Sequence, residues 1–200
     1  MQSKCNERNL NKRRMVFTIM KLLNLKKVKD GKYLKNYELT YLNKKGKEKV
    51  YEIVSRNEIP DEKALGTHVS GVSIVAYCGD RMLLLREFRM GVNHYIYNLC
   101  AGMLEEGESL EECIQRELYE ETGLHIKKIL QILKPSYAAV AFSDVKTQIA
   151  FVEAEGQFED HTSDNEMIEA KFYTKEEVRE LLETEEFSSR AQMAAYFFVK

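Results

Sequence analysis

Residues 102–124 read Gly102-Met103-Leu104-Glu105-Glu106-Gly107-Glu108-Ser109-Leu110-Glu111-Glu112-Cys113-Ile114-Gln115-Arg116-Glu117-Leu118-Tyr119-Glu120-Glu121-Thr122-Gly123-Leu124. This is a turn, then one helix, then a glycine stop. Ser109 is a good N-cap, and Glu112 three residues on completes a capping box. Leu110, Cys113, Ile114 and Leu118 recur at helical spacing, and Gly123 stands where a C-terminal glycine cap belongs. At roughly 100° per residue, the four apolar residues define one stripe. Glu117 and Glu121 are one turn apart and fall inside it; Arg116 and Glu120 lie to one side. A carboxylate on a core-facing stripe is costly unless it is paired or bound to a cation, and two at i and i+4 repel each other. A cation placed between them removes both problems. Hard carboxylate oxygens suit Mg2+ or Mn2+, whose coordination is usually finished by water and substrate phosphates. The plain alternative is a solvated acidic face, which leaves two acids amid the apolar positions unexplained.

The rest of the chain sets bounds on that reading. Its 200 residues, 44% hydrophobic and 31% charged, suit one globular domain with a small extra element. Thirty bases against 32 acids leave a formal charge of -2, which does not favour nucleic acid as a partner. No apolar run is long enough to span a membrane. Cys5, Cys78, Cys100 and Cys113 are scattered without a CxxC pair, as expected of reduced thiols in a cytoplasmic protein. Residues 11–20 have the outline of a signal peptide. However, Lys21, Lys26 and Lys27 interrupt the apolar run, and no small-residue cleavage site follows.

Residues 33–56 alternate apolar and polar around Asn43-Lys44-Lys45-Gly46, predicting a hairpin. Further strands are predicted at 69–77, 82–88, 95–100, 126–133, 148–154 and 167–173, with a polar, acidic loop at 156–166. Thr174, with Glu177, caps a helix through residue 182, and Ser188 or Ser189 opens a last helix to residue 199. Strands mixed with a few helices indicate an α+β sandwich.

The segment 102–124 resembles the Nudix box, G-x5-E-x7-R-E-U-x-E-E-x-G-U with U aliphatic, at every specified position. The resemblance implies a Nudix α/β/α sandwich with a mixed β-sheet, and hydrolysis of a nucleoside diphosphate linked to another moiety using divalent metal. Gly102, Glu108, Arg116 and Gly123 are then the structural positions of the box. Arg86-Glu87-Phe88-Arg89, followed by a strand and Ala101-Gly102-Met103-Leu104-Glu105-Glu106-Gly107-Glu108, resembles the ADP-ribose pyrophosphatase subfamily, in which the arginine matching Arg89 contacts substrate phosphate. Arginine's planar fork suits a diphosphate, and Arg86 is grouped with Arg89 as substrate-binding. In the subfamily an N-terminal sheet makes a homodimer, two aromatics on it sandwich the adenine, and a partner arginine reaches over. Tyr33, Tyr51 and Arg56 occur at matching spacing.

The implied division is a leader at 1–30, disordered or helical, a dimerisation hairpin at 31–60 and a catalytic domain at 61–200. Glu117, Glu121 and the carbonyl of Ala101 are the expected ligands of Mg2+ (or Mn2+). Glu120 is an auxiliary ligand or a supporting acid. Glu166, with Asp164 second, is a late-arriving ligand or base on the acidic loop, where His161 reads as a lone exposed histidine. Two departures bear on substrate rather than on the metal acids: Asn98-Leu99-Cys100-Ala101-Gly102 replaces Glu-Leu-Pro-Ala-Gly, and Ala139-Val140-Ala141-Phe142-Ser143-Asp144-Val145 replaces Ser-Pro-Gly-x-Ser/Thr-Asp-Glu. The leading substrate is ADP-ribose, giving AMP and ribose 5-phosphate. GDP-mannose, another nucleotide sugar or a dinucleotide, and a non-catalytic nucleotide sensor, are the alternatives.

Overall fold

The computed structural model describes residues 20–200; Cys5 and residues 11–19 of the leader run lie outside the described residues. Three strands, β1 (Lys21–Asp30), β2 (Lys35–Leu42) and β3 (Glu48–Ser55), form an antiparallel sheet in that order. The expected hairpin is β2–β3. Its turn closes on Asn43 Oδ1, which accepts the N–H groups of Lys45 (2.9 Å) and Lys47 (3.1 Å). Tyr37, Leu39 and Ile53 point to one face and form a small core with Ile59. Strand β1 occupies the segment expected to be leader. Its sequence is lysine-rich and its surface mostly exposed, so no local alternation marks it. Backbone pairing along β2 makes it a strand, with Leu22 and Leu25 packed on the core.

The larger sheet is mixed. Strand β4 (Val69–Cys78) runs buried through its centre, antiparallel to β5 (Arg81–Arg89) at their hairpin end and parallel to β10 (Lys146–Glu155). Strand β8 (His125–Ile132) and the short β9 (Ser136–Tyr137) pair with β10, and β11 (Ile168–Tyr173) with β5. One strand had been expected at 95–100. The chain instead makes two, β6 (His94–Asn98) on β5 and β7 (Cys100–Met103) on β4, with buried Leu99 at the switch. Pairing between β4 and β5 is confined to their turn, and this switch fills the gap between them. It delivers Ala101 and Gly102 to the sheet's centre.

Helix α1 (Leu110–Thr122) covers one face and packs Cys113, Ile114 and Leu118 against Val72, Leu83, Leu85 and Val152. Each such fully buried aliphatic side chain contributes about 1.5–3 kcal/mol. Helices α2 (Lys175–Thr184) and α3 (Ser189–Phe198) cover the other face, over Val75, Met82 and Leu84. The caps are those read from the sequence. Ser109 and Glu112 form a reciprocal box, Gly123 ends α1 at φ +76°, and Thr174 and Glu177 repeat the box on α2. The layers are helix, mixed sheet, helix, with the three-stranded sheet attached beside them: Val54 N–H donates to Phe142 O at 2.8 Å.

Candidate active site

Two carboxylates and one glycine define the centre. Glu117 is buried although it is an acid, and its carboxyl lies against Gly102: a β-carbon built on Gly102 would stand 1.8 Å from Glu117 Oε1. Gly102 is in turn packed on Gly71, where an added β-carbon would meet the Gly102 carbonyl oxygen at 2.1 Å. The β4–β7 contact thus needs both glycines: the missing side chain of Gly71 admits the Gly102 backbone, and that of Gly102 admits the Glu117 carboxylate. Glu121, one turn on, accepts the Ala101 N–H at 3.0 Å. Among the described residues no basic side chain pairs with it. Burial pushes its carboxyl up to about 8, and burial also raises Glu117, opposed by Arg116.

Arg116 holds the surrounding acids. Its Nε and Nη2 donate to the two oxygens of Glu108 at 2.8 and 2.9 Å, and its Nη1 to Glu117 at 2.8 Å and Glu120 at 3.0 Å. Nη2 also donates to the Met103 carbonyl at 2.9 Å. This fork holds Glu108 down at about 2. Arg116 therefore ties the loop before α1 to the helix, and its planar donor set is needed to reach several acceptors at once.

These residues fit a divalent cation. Glu121 is a desolvated carboxylate with no basic partner among the described residues, next to a second buried carboxylate, and a nearby cation lowers the cost of both charges. Among the described residues no three His, Cys, Asp or Glu side chains converge closely enough to hold an ion alone. Glu117 and Glu121, with backbone, water and phosphate oxygens, are the donors that remain, a mixture usual for Mg2+.

A cleft of about 280 Å3 opens beside this pair, lined by Glu87, Arg89, Ala101, Glu121 and Glu166. It brings together five residues from two strands, one helix and one loop. Glu166 lies in it with its carboxylate accepting from Ser163 N–H (3.1 Å) and Oγ (2.9 Å). Asp164 is exposed and does not line the cleft. Arg86 is not brought there. On β5, Leu83, Leu85, Glu87 and Arg89 face α1, whereas Arg86 faces the other way, 4.2 Å over the Tyr95 ring and 3.5 Å from Glu169. Tyr33 is exposed in the turn between β1 and β2. Tyr51 sits opposite Leu39 on the inner face of the small sheet, where its hydroxyl donates to Ala141 O. Arg56 is exposed just after β3. The register pairs Lys35 with Ser55 and Leu39 with Tyr51, so Tyr33 and Arg56 lie at one end of this sheet and Tyr51 four pairs further along it.

Sequence reading missed Glu87. It is 5% exposed, takes an N–H from Asn98 at 2.5 Å and has Arg89 at 3.4 Å. The signal was present as a period of two: an acid continuing the buried positions Leu83 and Leu85. The reading also missed that His161 stacks on Tyr119.

The NUDIX domain family model matches residues 67–197. The ADP-ribose pyrophosphatase of Bacillus subtilis is 29% identical over 136 residues, 64% of this chain and 73% of that one. An NAD-capped RNA hydrolase of Vibrio parahaemolyticus is 45% identical over 56 residues, 28% of this chain. This chain spans only 21% of that relative's length. A crystal structure of an ADP compounds hydrolase has the same fold, with a TM-score of 0.70 over 90% of this chain and 91% of that one, at 23% identity.

Proposed function

Because the chain belongs to the NUDIX domain family, we propose that it hydrolyses the diphosphate of an ADP-linked compound, with ADP-ribose the leading substrate and AMP and ribose 5-phosphate the products. One observation carries this: Glu117 and Glu121 are held desolvated beside Gly102 and Ala101, and Glu121 and Ala101 line a cleft shared with Arg89 and Glu166. The similarity to an ADP-ribose pyrophosphatase supports the choice of substrate.

Glu117, Glu121 and the Ala101 backbone would hold Mg2+ or Mn2+. Such an ion, when bound, offsets phosphate charge and acidifies water. The protein's own part is to bind and orient. Arg89 pairs with a phosphate at the cleft wall through its guanidinium. Arg116 keeps Glu117 and Glu120 in place and does not itself touch substrate. Glu166 takes the proton of the attacking water once its bonds to Ser163 are exchanged for that water, with Asp164 the alternative base. The three-stranded sheet makes a homodimer, and Tyr33, Tyr51 and Arg56 meet the nucleoside from across it. Cys78, Cys100 and Cys113 are free thiols, which fits a cytoplasmic setting.

A second reading follows from the relative that acts on NAD-capped RNA: the same diphosphate chemistry at an RNA 5′ end. A panel of ADP-ribose, GDP-mannose, NADH and NAD-capped RNA, assayed with Mg2+ and with Mn2+, separates the readings. Fastest release of AMP from ADP-ribose supports the first. Preferential decapping supports the second, and absence of turnover on every compound would leave a nucleotide sensor.

A further inference from the structure

The acidic loop 157–167 is fastened to helix α1 by three aromatic rings that the reaction outlined above does not use. The Tyr119 ring stacks with His161 of the loop at 4.5 Å and 22°, and with His125 at the start of β8 at 5.1 Å and 25°. His161 Nε2 lies 3.1 Å from Glu159 Oε2. The Glu159 N–H donates to Thr122 O at 3.0 Å, and its backbone lies so close that a β-carbon on Gly123 would come within 2.5 Å of Glu159 N. Phe158 packs on Phe172 at 5.4 Å. At the loop's far end, Phe88 N–H donates to Met167 O at 3.0 Å. Residues 162–166, with Glu166 at the cleft, are thus suspended between two anchors.

The geometry points to Tyr119 and His161 as positioning residues: their stack fixes the near anchor and so sets where Glu166 stands in the cleft. Neither residue touches the cleft itself. Stacked rings contribute about 0.5–1.5 kcal/mol beyond their buried area, enough to bias a loop whose other contacts are the Phe158–Phe172 packing and a few hydrogen bonds. A small displacement of a reacting group costs rate steeply, on the order of a hundredfold per ångström. This inference rests on the reading of the cleft as a hydrolytic centre.

The test uses the full chain with Tyr119→Ala, Tyr119→Phe and His161→Ala, measuring kcat and KM for ADP-ribose with Mg2+ and hydrogen exchange of the Glu159 amide without metal. Tyr119→Ala and His161→Ala are expected to lower kcat about tenfold with KM within about twofold, and to speed Glu159 exchange. Tyr119→Phe, which keeps the ring, is expected to restore both. His161→Ala removes a loop side chain and serves if Tyr119→Ala fails to fold. Wild-type kcat and exchange in both alanine variants would overturn the proposal, as would a loss in Tyr119→Phe equal to that in Tyr119→Ala. Faster exchange in the alanine variants of a wild type that turns over no diphosphate would support the anchor and overturn the hydrolytic reading.

Discussion

The carboxylate of Glu117 occupies the volume that any side chain on Gly102 would need, with Oε1 1.8 Å from the site of a β-carbon. The box glycine is therefore a steric requirement of a neighbouring acid, since Gly102 does not have a positive φ. Gly102→Ala is expected to destabilise the protein by about 1–3 kcal/mol, as overpacking does, and to weaken Mg2+ binding by displacing Glu117. Chemical denaturation and metal titration check the two parts. Unchanged metal affinity would show that Glu117 is not a ligand.

Glu121 is the acid whose charge the fold itself disfavours. Replacing it by Gln should lower Mg2+-dependent turnover about a hundredfold or more, several kcal/mol of lost charge stabilisation, while leaving the fold intact. Steady-state kinetics together with a thermal melt decide this. Retained turnover would remove Glu121 from the reaction.

The same residue makes metal-free stability depend on pH. Its carboxyl titrates at about 8 in the folded chain against an ordinary 4.5. The folded state therefore binds the extra proton, and stability falls as pH rises from about 4.5 to about 8. Glu108 acts in the opposite sense at lower pH. Arg116 holds it at about 2, so its contribution is complete above about 4.5 and is lost as pH falls toward 2. Thermal midpoints measured without metal should be highest near pH 5, and Glu121→Gln should flatten the decline above it. Addition of Mg2+ should raise the wild-type midpoint most at pH 8.

Arg116→Ala strips hydrogen bonds from Glu108, Glu117, Glu120 and the Met103 carbonyl at once. It leaves a buried carboxylate unpaired, a loss of about 3 kcal/mol or more. Arg116→Lys should recover only part of this, because a single ammonium cannot reproduce the fork. Equal stability of the lysine variant and the wild type, by urea titration, would count against the fork.

The two arginines of the Arg-x-x-Arg pattern should separate cleanly. Arg89 lines the cleft, so Arg89→Ala is expected to raise KM for ADP-ribose tenfold or more, the scale of about 1.5–3 kcal/mol for a charged hydrogen bond. Arg86 stacks on Tyr95 on the other face. Arg86→Ala should leave kcat/KM near wild type and cost about 1 kcal/mol of stability. A large KM effect from Arg86→Ala would mean that the β5 faces have been misassigned.

The features legible in the sequence are the local ones. Caps, helix stops and hairpin turns are closed by groups within a few residues of each other, so Ser109, Glu112, Gly123 and Thr174 could be read directly. The acids Glu117 and Glu121 were legible because they break a helical period that their own helix defines. The grouping of Arg86 with Arg89 overlooked a signal that was present, since residues three apart on a strand face opposite ways. What tertiary structure alone decided involves partners distant along the chain. Strand β1 exists because β2 supplies its hydrogen bonds, and β6 and β7 split because β4 and β5 offer separate edges. Glu87 becomes part of the cleft because Asn98 and Glu121 meet it there, and His161 becomes an anchor because the loop returns to Tyr119. A lysine-rich segment, a strand acid and a loop histidine carry no local mark of such meetings, because the favourable contacts appear only when sheet and helix have packed.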